Sequence, residues 1–579
     1  MKRDSFIPSL ALVAVIFATI LMSVTCGGAS SATSATKDPS GASAPPPSAP
    51  ALSGVLMWKG DVSGKGLYPN ETILTPAQVN VNQFGKLGSF QADGLLIAQP
   101  LYVASLPVGG ATHNVIILTT EHDSVYAIDA DNPAAGPLWE RHYLDASSGV
   151  TPLSDNFGGR TTLGGEIGIT GTAFVDSTTG ALYFVTALSR NGIAEQWLRA
   201  IDIHTGNDFG PGGVRIQARV AGTGVGNVNG MIAFDPSIQN QRTGLTKVNN
   251  SILVAFGSFS DWGVYHGWFM AFDPATLQMQ AVFNSTTEAQ PIDDADGPAD
   301  HGGGGAFWQG GAAPSTDANG NIYIAAADGS FNADQGGNNH GDTLLRLQLN
   351  HGSFQVMDWF TPSNAACVDE ADLELGSGGA ALLPTDIANG RALAAVYNKE
   401  GRLFLLDTTN LGKFNASGDT QIPQEFMVGA NTCTPGTPSS SAEGTGWNRL
   451  YGNPSYWNGN LYVGASNAPL KQYQFQNGSL NPIPVAQSPT AYSLRGGNTV
   501  VSANGTQNGI VWAYEKSISG QALLHAYDAT QISHELWNSN MNQGRDAMGT
   551  GIGFGTPVVA SGKVIVTFDE VVAIYGILK

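Results

Sequence analysis

The sequence predicts an all-β fold: an eight-bladed β-propeller closed by an N-terminal strand that completes the last blade. Three observations carry the prediction. First, a short phrase recurs, an alternating strand ended by Asp: Asp123-Ser-Val-Tyr-Ala-Ile-Asp129 with Trp139, Leu198-Arg-Ala-Ile-Asp202 with Thr205-Gly206, Phe269-Met-Ala-Phe-Asp273, and Leu524-His-Ala-Tyr-Asp528 with Trp537. Repetition of one strand–turn–strand unit along a chain is the signature of a radial β architecture. Second, the 579 residues include 74 Gly but only 12% charged side chains, with 42% hydrophobic residues and no long stretch of helical periodicity. Third, turn sequences such as Asp317-Ala-Asn-Gly320, Trp457-Asn-Gly459 and Ala560-Ser-Gly562 separate short apolar runs, as hairpins require.

Each unit reads as an inner strand, two middle strands and an outer strand. The first is expected at 99–103, 114–119, 124–129 and 138–143, and the second at 169–175, 181–186, 197–203 and 214–218. The third is expected at 230–234, 251–257, 268–273 and 278–283, and the fourth at 312–315, 321–326, 343–349 and 354–360. Middle-strand pairs follow at 392–397 with 403–407, 460–464 with 470–475, 509–514 with 523–528, and 563–568 with 571–575. The last unit has no outer strand of its own, because the chain stops at Lys579. The segment 84–90, ahead of the first inner strand, has no other partner and is expected to supply it. An unpaired sheet edge would otherwise invite association.

The chain begins as an exported protein begins. Lys2 and Arg3 precede an apolar run over 10–22, too short for a confident membrane span, and Cys26 follows. Residues 1–26 therefore read as a signal peptide with Cys26 as a lipidation site, 27–52 as a Ser/Ala/Pro-rich tether, and 53–579 as a single propeller domain. Ordinary cleavage and free secretion is the alternative. The expected location is periplasmic or cell-surface, with membrane contact only through a lipid anchor, on the outer membrane if it is lipidated. A net charge of −20 and a pI near 4.7 argue against nucleic acid and anionic membranes as partners. A monomer is expected. The two remaining cysteines, Cys367 and Cys433, form an even pair in an exported protein and are read as a disulfide, with two free thiols as the alternative.

In a propeller, the loops leading into each inner strand and those joining the two middle strands gather on one face around the channel, so single side chains from several blades can meet there. The first set holds Gln99, Glu166, Asn229, Gln309, Asp372 with Glu374, Arg449, Arg495, and Arg545 with Asp546. The second holds His122, Arg190, Asp261 with His266, Asp342, Lys399 with Glu400, and Glu515. Arg449, Arg495 and Arg545 stand at equivalent positions of successive blades in a chain with 26 basic residues. They read either as a clamp for an anionic ligand or as neutralising partners of Asp372, Glu374 and Asp546. A glycine run after His301 delivers Trp308, which could stack on a flat ring or a sugar. It lacks the Gly-Lys-Ser/Thr of a phosphate loop. The acidic run 293–300 reads as a solvated turn rather than a calcium loop, because the closing Glu is missing.

The units resemble the pyrroloquinoline-quinone-type propeller repeat, Ala-x-Asp-x-x-Thr-Gly followed by Trp. Ala127/Asp129/Trp139, Ala200/Asp202/Thr205/Gly206 and Ala526/Asp528/Trp537 carry it best. From Asn70-Glu-Thr-Ile-Leu-Thr-Pro76 onward the chain is also similar to exported bacterial propeller proteins of the quinoprotein alcohol dehydrogenase-like superfamily. The similarity runs through Glu166-Ile-Gly-Ile-Thr170, His266-Gly-Trp268, Leu375-Gly-Ser-Gly-Gly379, Lys399-Glu400-Gly401 and Gly544-Arg-Asp546. The resemblance implies the propeller fold. For the superfamily's enzymes it also implies pyrroloquinoline quinone (PQQ), a disulfide between neighbouring cysteines, a Trp floor, Ca²⁺ held by Glu, Asn and Asp, and an Asp base. Glu166, Asn229 and Asp546 have the right residue types, but no adjacent cysteine pair exists. Two functions follow as expectations. One is a non-catalytic propeller binding a glycan, small molecule or protein at its loop face; the other is a PQQ- and Ca²⁺-dependent dehydrogenase of alcohols or aldoses. Carbohydrate cleavage by paired carboxylates is a third, weaker reading.

Overall fold

A computed structural model describes residues 51–156, 164–290, 303–429, 433, 448–493 and 495–579. The leader, most of the tether, Cys26, His301 and the acidic run 293–300 lie outside the described residues. The chain from Pro50 to Lys579 forms one compact unit, an all-β propeller of eight blades.

The blades are antiparallel sheets built as the repeats predict. In the first, Leu101–Val108, Ala111–Thr119, Ser124–Asp129 and Pro137–His142 follow in order from the channel outwards. Ser124–Asp129 is buried along almost its whole length, as a strand covered on both faces must be. The recurring Asp is explained by the turn it starts. The carboxylate of Asp129 accepts the N–H of Asp131, that of Asp202 the N–H of His204, and that of Asp528 the N–H of Thr530. An Asp that caps its own turn in this way ends the strand and sets the angle of the outer one.

The eighth sheet is Val558–Ala560, Lys563–Phe568 and Val571–Ile577, with Phe84–Gln91 paired antiparallel to Val571–Ile577 as its outer strand. Phe84 is fully buried, its ring centroid 5.0 Å from Trp537 edge-on and 5.4 Å from Trp512. One apolar core packs this sheet between the seventh and the first, joining Trp512 and Trp537 to Tyr575 and Tyr102.

The third blade corrects the sequence reading. Residues 230–234 are not its inner strand: Met231–Ala233 pairs with Arg219–Ala221 in a separate hairpin. The inner edge is instead made of two short pieces, Gln239–Asn240 and Thr246–Val248, both against Ser251–Ser258. The hydrophobic alternation of Met231-Ile-Ala-Phe234 serves the hairpin's own packing, Ile232 and Phe234 entering the core beneath it.

A second feature was not anticipated. Residues 52–71 run as a strap around the inner edges of the blades. Ser53–Val55 pairs with Leu101–Val108 of the first blade, and Val175 of the second donates its N–H to Leu56 O. Trp58 packs on Ala312 and Ala313 of the fourth blade, and its Cβ lies 3.1 Å from where a Cβ on Gly244 of the third would stand. The N–H groups of Thr316, Leu382, Tyr456 and Val501, on the fourth to seventh blades, donate to the carbonyls of Val62, Ser63, Lys65 and Gly66. Gly562 of the eighth donates to the Glu71 carboxylate at 2.9 Å. Inner-strand N–H groups that would otherwise line an open channel are satisfied by the strap's backbone.

Candidate functional site

The side chains that converge on the axis surround Phe554. The Arg242 guanidinium lies 5.1 Å from its ring centroid, that of Arg495 4.9 Å away, and the Tyr451 ring meets it edge-on at 5.4 Å. Arg242 belongs to the third blade and Arg495 to the loop entering the seventh, which stand opposite each other in a ring of eight. They can touch one phenyl group only at the axis.

Local backbone explains the placement. Between the two pieces of the third inner strand the chain leaves the ladder, and Arg242 projects from the break. Gln239 fixes that break, its amide donating to Gly257 O at 2.7 Å and to His266 O at 2.8 Å. Gly311, at φ 91°, makes room: a Cβ there would stand 2.5 Å from Arg242 Nη1. Arg495 itself sits at φ 74°, in the left-handed region, a costly conformation for a residue with a Cβ.

The electrostatics of the two guanidinium groups are unusual. Arg242 is 8% exposed, and among the described residues it makes no hydrogen bond and no ion pair. Burial pushes it down to about 10, with Glu121 opposing and Arg495 reinforcing the shift. Arg495 is exposed and likewise has no ion pair among the described residues. Glu121 is buried. Its Oε2 accepts the Gly168 N–H and the Thr170 hydroxyl, each at 2.9 Å, while Oε1 has no partner. Burial raises it to about 7.

Beside this pair lies a charged group from the fifth and sixth blades. Lys399 Nζ is 2.6 Å from Asp372 and 2.8 Å from Glu374, and Arg449 is 3.7 Å from Asp372. Burial opposes the Arg449 charge, and Tyr451, Asp372 and Glu374 more than offset it. Arg449 Nη2 is buried without a hydrogen-bond partner. Asp328, Asp342 and Glu374 are all pushed up, first by burial; the charge of Glu374 then adds to Asp328, that of Asp369 to Asp342, and that of Asp372 to Glu374 against the pull of Lys399.

Of the residues singled out from sequence, Arg449, Arg495, Asp372 and Lys399 stand in this region. Others have structural work. Gln99 accepts the Lys59 N–H at 2.8 Å and donates to Met57 O, holding the strap. Gln309 is fully buried between Ala312 O and the Ala325 N–H. His266 is held between Thr286 Oγ1 and Val225 O, and burial pushes it down to about 4, so it is neutral at pH 7. Trp308 donates its indole N–H to Ser258 O and leans on Tyr265.

Two expectations are corrected, and a third, the disulfide, is met. Asn229 does not lead into an inner strand; it sits exposed at φ 54° at the tip of the hairpin ending in Met231–Ala233. Arg545 is not part of a clamp with Arg449 and Arg495, because Asp546 takes it at 2.7 Å and the carbonyls of Val81 and Phe84 take the rest. Asp546, fully buried, also accepts the Lys86 N–H and so anchors the outer strand of the eighth blade. Cys367 and Cys433 are joined in a disulfide across a separation of 66 residues.

The set that would hold a quinone and Ca²⁺ does not fit. Glu166 faces His122 at 2.7 Å, Asn229 is at a hairpin tip, Asp546 is sealed against Arg545, and the disulfide joins distant cysteines rather than neighbours.

No family model matches the sequence, and no curated protein matches it. Solved structures do. A quinohemoprotein alcohol dehydrogenase from Pseudomonas putida HK5 is 14% identical with a TM-score of 0.57, over 90% of this chain and 80% of that one. The quinohemoprotein alcohol dehydrogenase of Comamonas testosteroni is 14% identical with a TM-score of 0.55, over the same shares. A europium-containing methanol dehydrogenase is 15% identical with a TM-score of 0.50, over 89% of each chain. The chain thus has the propeller fold of the quinoprotein dehydrogenase type. At this identity the likeness is one of fold alone.

Proposed function

We propose that this is an exported propeller, tethered through Cys26 or released, that binds a ligand at its loop face without turning it over. The observation that carries the reading is the convergence of Arg242, Tyr451, Arg495 and Phe554 from four blades on the axis. Shared loop-face positions of a rigid ring are where ligand sites collect. The residues of the dehydrogenase set, in contrast, are dispersed and committed to other partners.

A second reading, a PQQ- and Ca²⁺-dependent dehydrogenase of alcohols or aldoses, has the fold likeness in its favour. One experiment separates them. Purified protein is incubated with PQQ and Ca²⁺, then assayed for dye reduction with alcohols and aldoses. The binding reading expects no turnover; sustained dye reduction would overturn it. Fractionation of host cells after globomycin treatment tests the anchor, since a lipidated Cys26 leaves the precursor accumulating in the membrane.

A further inference from the structure

The geometry points to an oxyanion seat between Arg242 and Arg495, a site for a carboxylate or phosphate group with Phe554 as its apolar floor. It rests on the loop-face binding reading and gives that reading a ligand chemistry. Each guanidinium lies about 5 Å from the same ring centroid, so the two stand no more than about 10 Å apart, near enough for the Arg495 charge to push Arg242 down. Like charges at this range repel, and among the described residues neither forms an ion pair with a carboxylate, Glu121 acting on Arg242 only from beyond contact distance. Arg449, which stands in the same region, does have such a partner, Asp372. The chain carries 46 acidic against 26 basic residues, so leaving two arginines unpaired at one point is not for want of acids. With no protein hydrogen bond, the Arg242 guanidinium keeps its N–H groups free to bond a ligand's oxygens. Planar, bidentate donors fit oxyanions.

Arg495 stands in the loop entering the seventh blade, while Arg242 projects from a break in the third inner strand. Neither the resemblance nor the fold likeness assigns a role to Arg242 or Phe554.

The test is calorimetric titration of the mature full-length protein with citrate, with inorganic phosphate and with a neutral maltooligosaccharide, at two salt concentrations. At least one oxyanion is expected to bind saturably and more weakly in high salt. Arg242→Gln and Arg495→Gln should each weaken it about 10- to 100-fold, the worth of a charged bidentate contact. Arg141→Gln, which removes an exposed ion pair with Asp208 on an outer strand, should leave it unchanged. Arg242→Gln removes an unpaired buried charge and is expected to fold. Arg495→Gln alters an exposed side chain, so the pair keeps the test decisive. Citrate binding alone marks a carboxylate ligand, phosphate binding alone a phosphorylated one. Oxyanion binding untouched by both variants overturns the proposal, as does no oxyanion binding. If the neutral sugar alone binds, and Tyr451→Ala abolishes it, the loop-face reading stands and the oxyanion seat falls. If nothing binds, both fall.

Discussion

Lys59 donates its Nζ to the carbonyl oxygen of Asn453 at 2.7 Å, tying the strap to the sixth blade across 394 residues of sequence. The amine is buried, and among the described residues no carboxylate pairs with it. Burial pushes it down to about 7, from an ordinary 10.5. Between those values the unfolded chain holds a proton that the folded one has released, so stability rises with pH across the window. Urea midpoints measured from pH 7 to 10 should rise less steeply in Lys59→Met than in the wild type. Equal slopes would show that the amine stays charged in the fold.

Glu121 carries the opposite sign. Burial raises its carboxyl to about 7, with Asp155 adding to the shift and the Gly168 N–H, Thr170 and Arg242 opposing it; Asp123 is the neighbouring buried acid. The folded state keeps the proton that the unfolded chain gives up near 4.5. Its contribution is full below about pH 4.5 and is lost as pH climbs towards 7. Glu121→Gln should therefore gain stability relative to the wild type as pH rises through that interval. A constant difference between the two proteins from pH 4.5 to 7.5 would show that Glu121 does not titrate there.

Phe84 is the side chain that seats the outer strand of the eighth blade. Truncation to Ala removes a fully buried ring in contact with Trp512, Trp537 and Tyr575. The loss should be about 3–5 kcal/mol in equilibrium unfolding, the range for a buried aromatic replaced by Ala. A change below about 1 kcal/mol would mean that the strand is held by its backbone ladder alone.

The Cys367–Cys433 bridge should leave no thiol reactive towards Ellman's reagent in the unfolded mature protein, if Cys26 is lipidated or removed with the signal. Its loop of 66 residues constrains the unfolded chain by roughly 4 kcal/mol in the entropy model. Cys367→Ser/Cys433→Ser should melt well below the wild type, and reduction of the wild type should reproduce the loss.

The sequence made the blades legible because each repeats the same local chemistry. The Asp that ends a third strand caps its own turn, and alternation over six residues marks the strand before it. The outer strand of the eighth blade was legible by elimination, since 84–90 had no neighbour to pair with. The third inner strand was misread because the alternation of Met231-Ile-Ala-Phe234 is equally that of a hairpin, and periodicity cannot tell which sheet a strand joins. That error placed Asn229 on the axis and hid Arg242, whose only local signal is the polar run Gln239-Asn-Gln-Arg-Thr243 interrupting the blade. The strap left little trace because most of its bonds run through backbone groups, which every residue type carries. The left-handed turns at Lys59, Gly60, Gly64 and Gly66 are its one visible mark.

The strap has a consequence for how the molecule is made. Its carbonyls are claimed by residues as late as Val501, its Glu71 by Gly562, and Phe84–Gln91 by a strand ending at Ile577. A polypeptide delivered amino end first must keep these groups waiting until the final stretch arrives. Contacts of such sequence span slow folding and leave the nascent chain open to trapping or capture. Synthesis halted short of Ile577 would leave Phe84–Gln91, one of the first segments made, without its mate, so truncation at either end should be felt throughout the wheel.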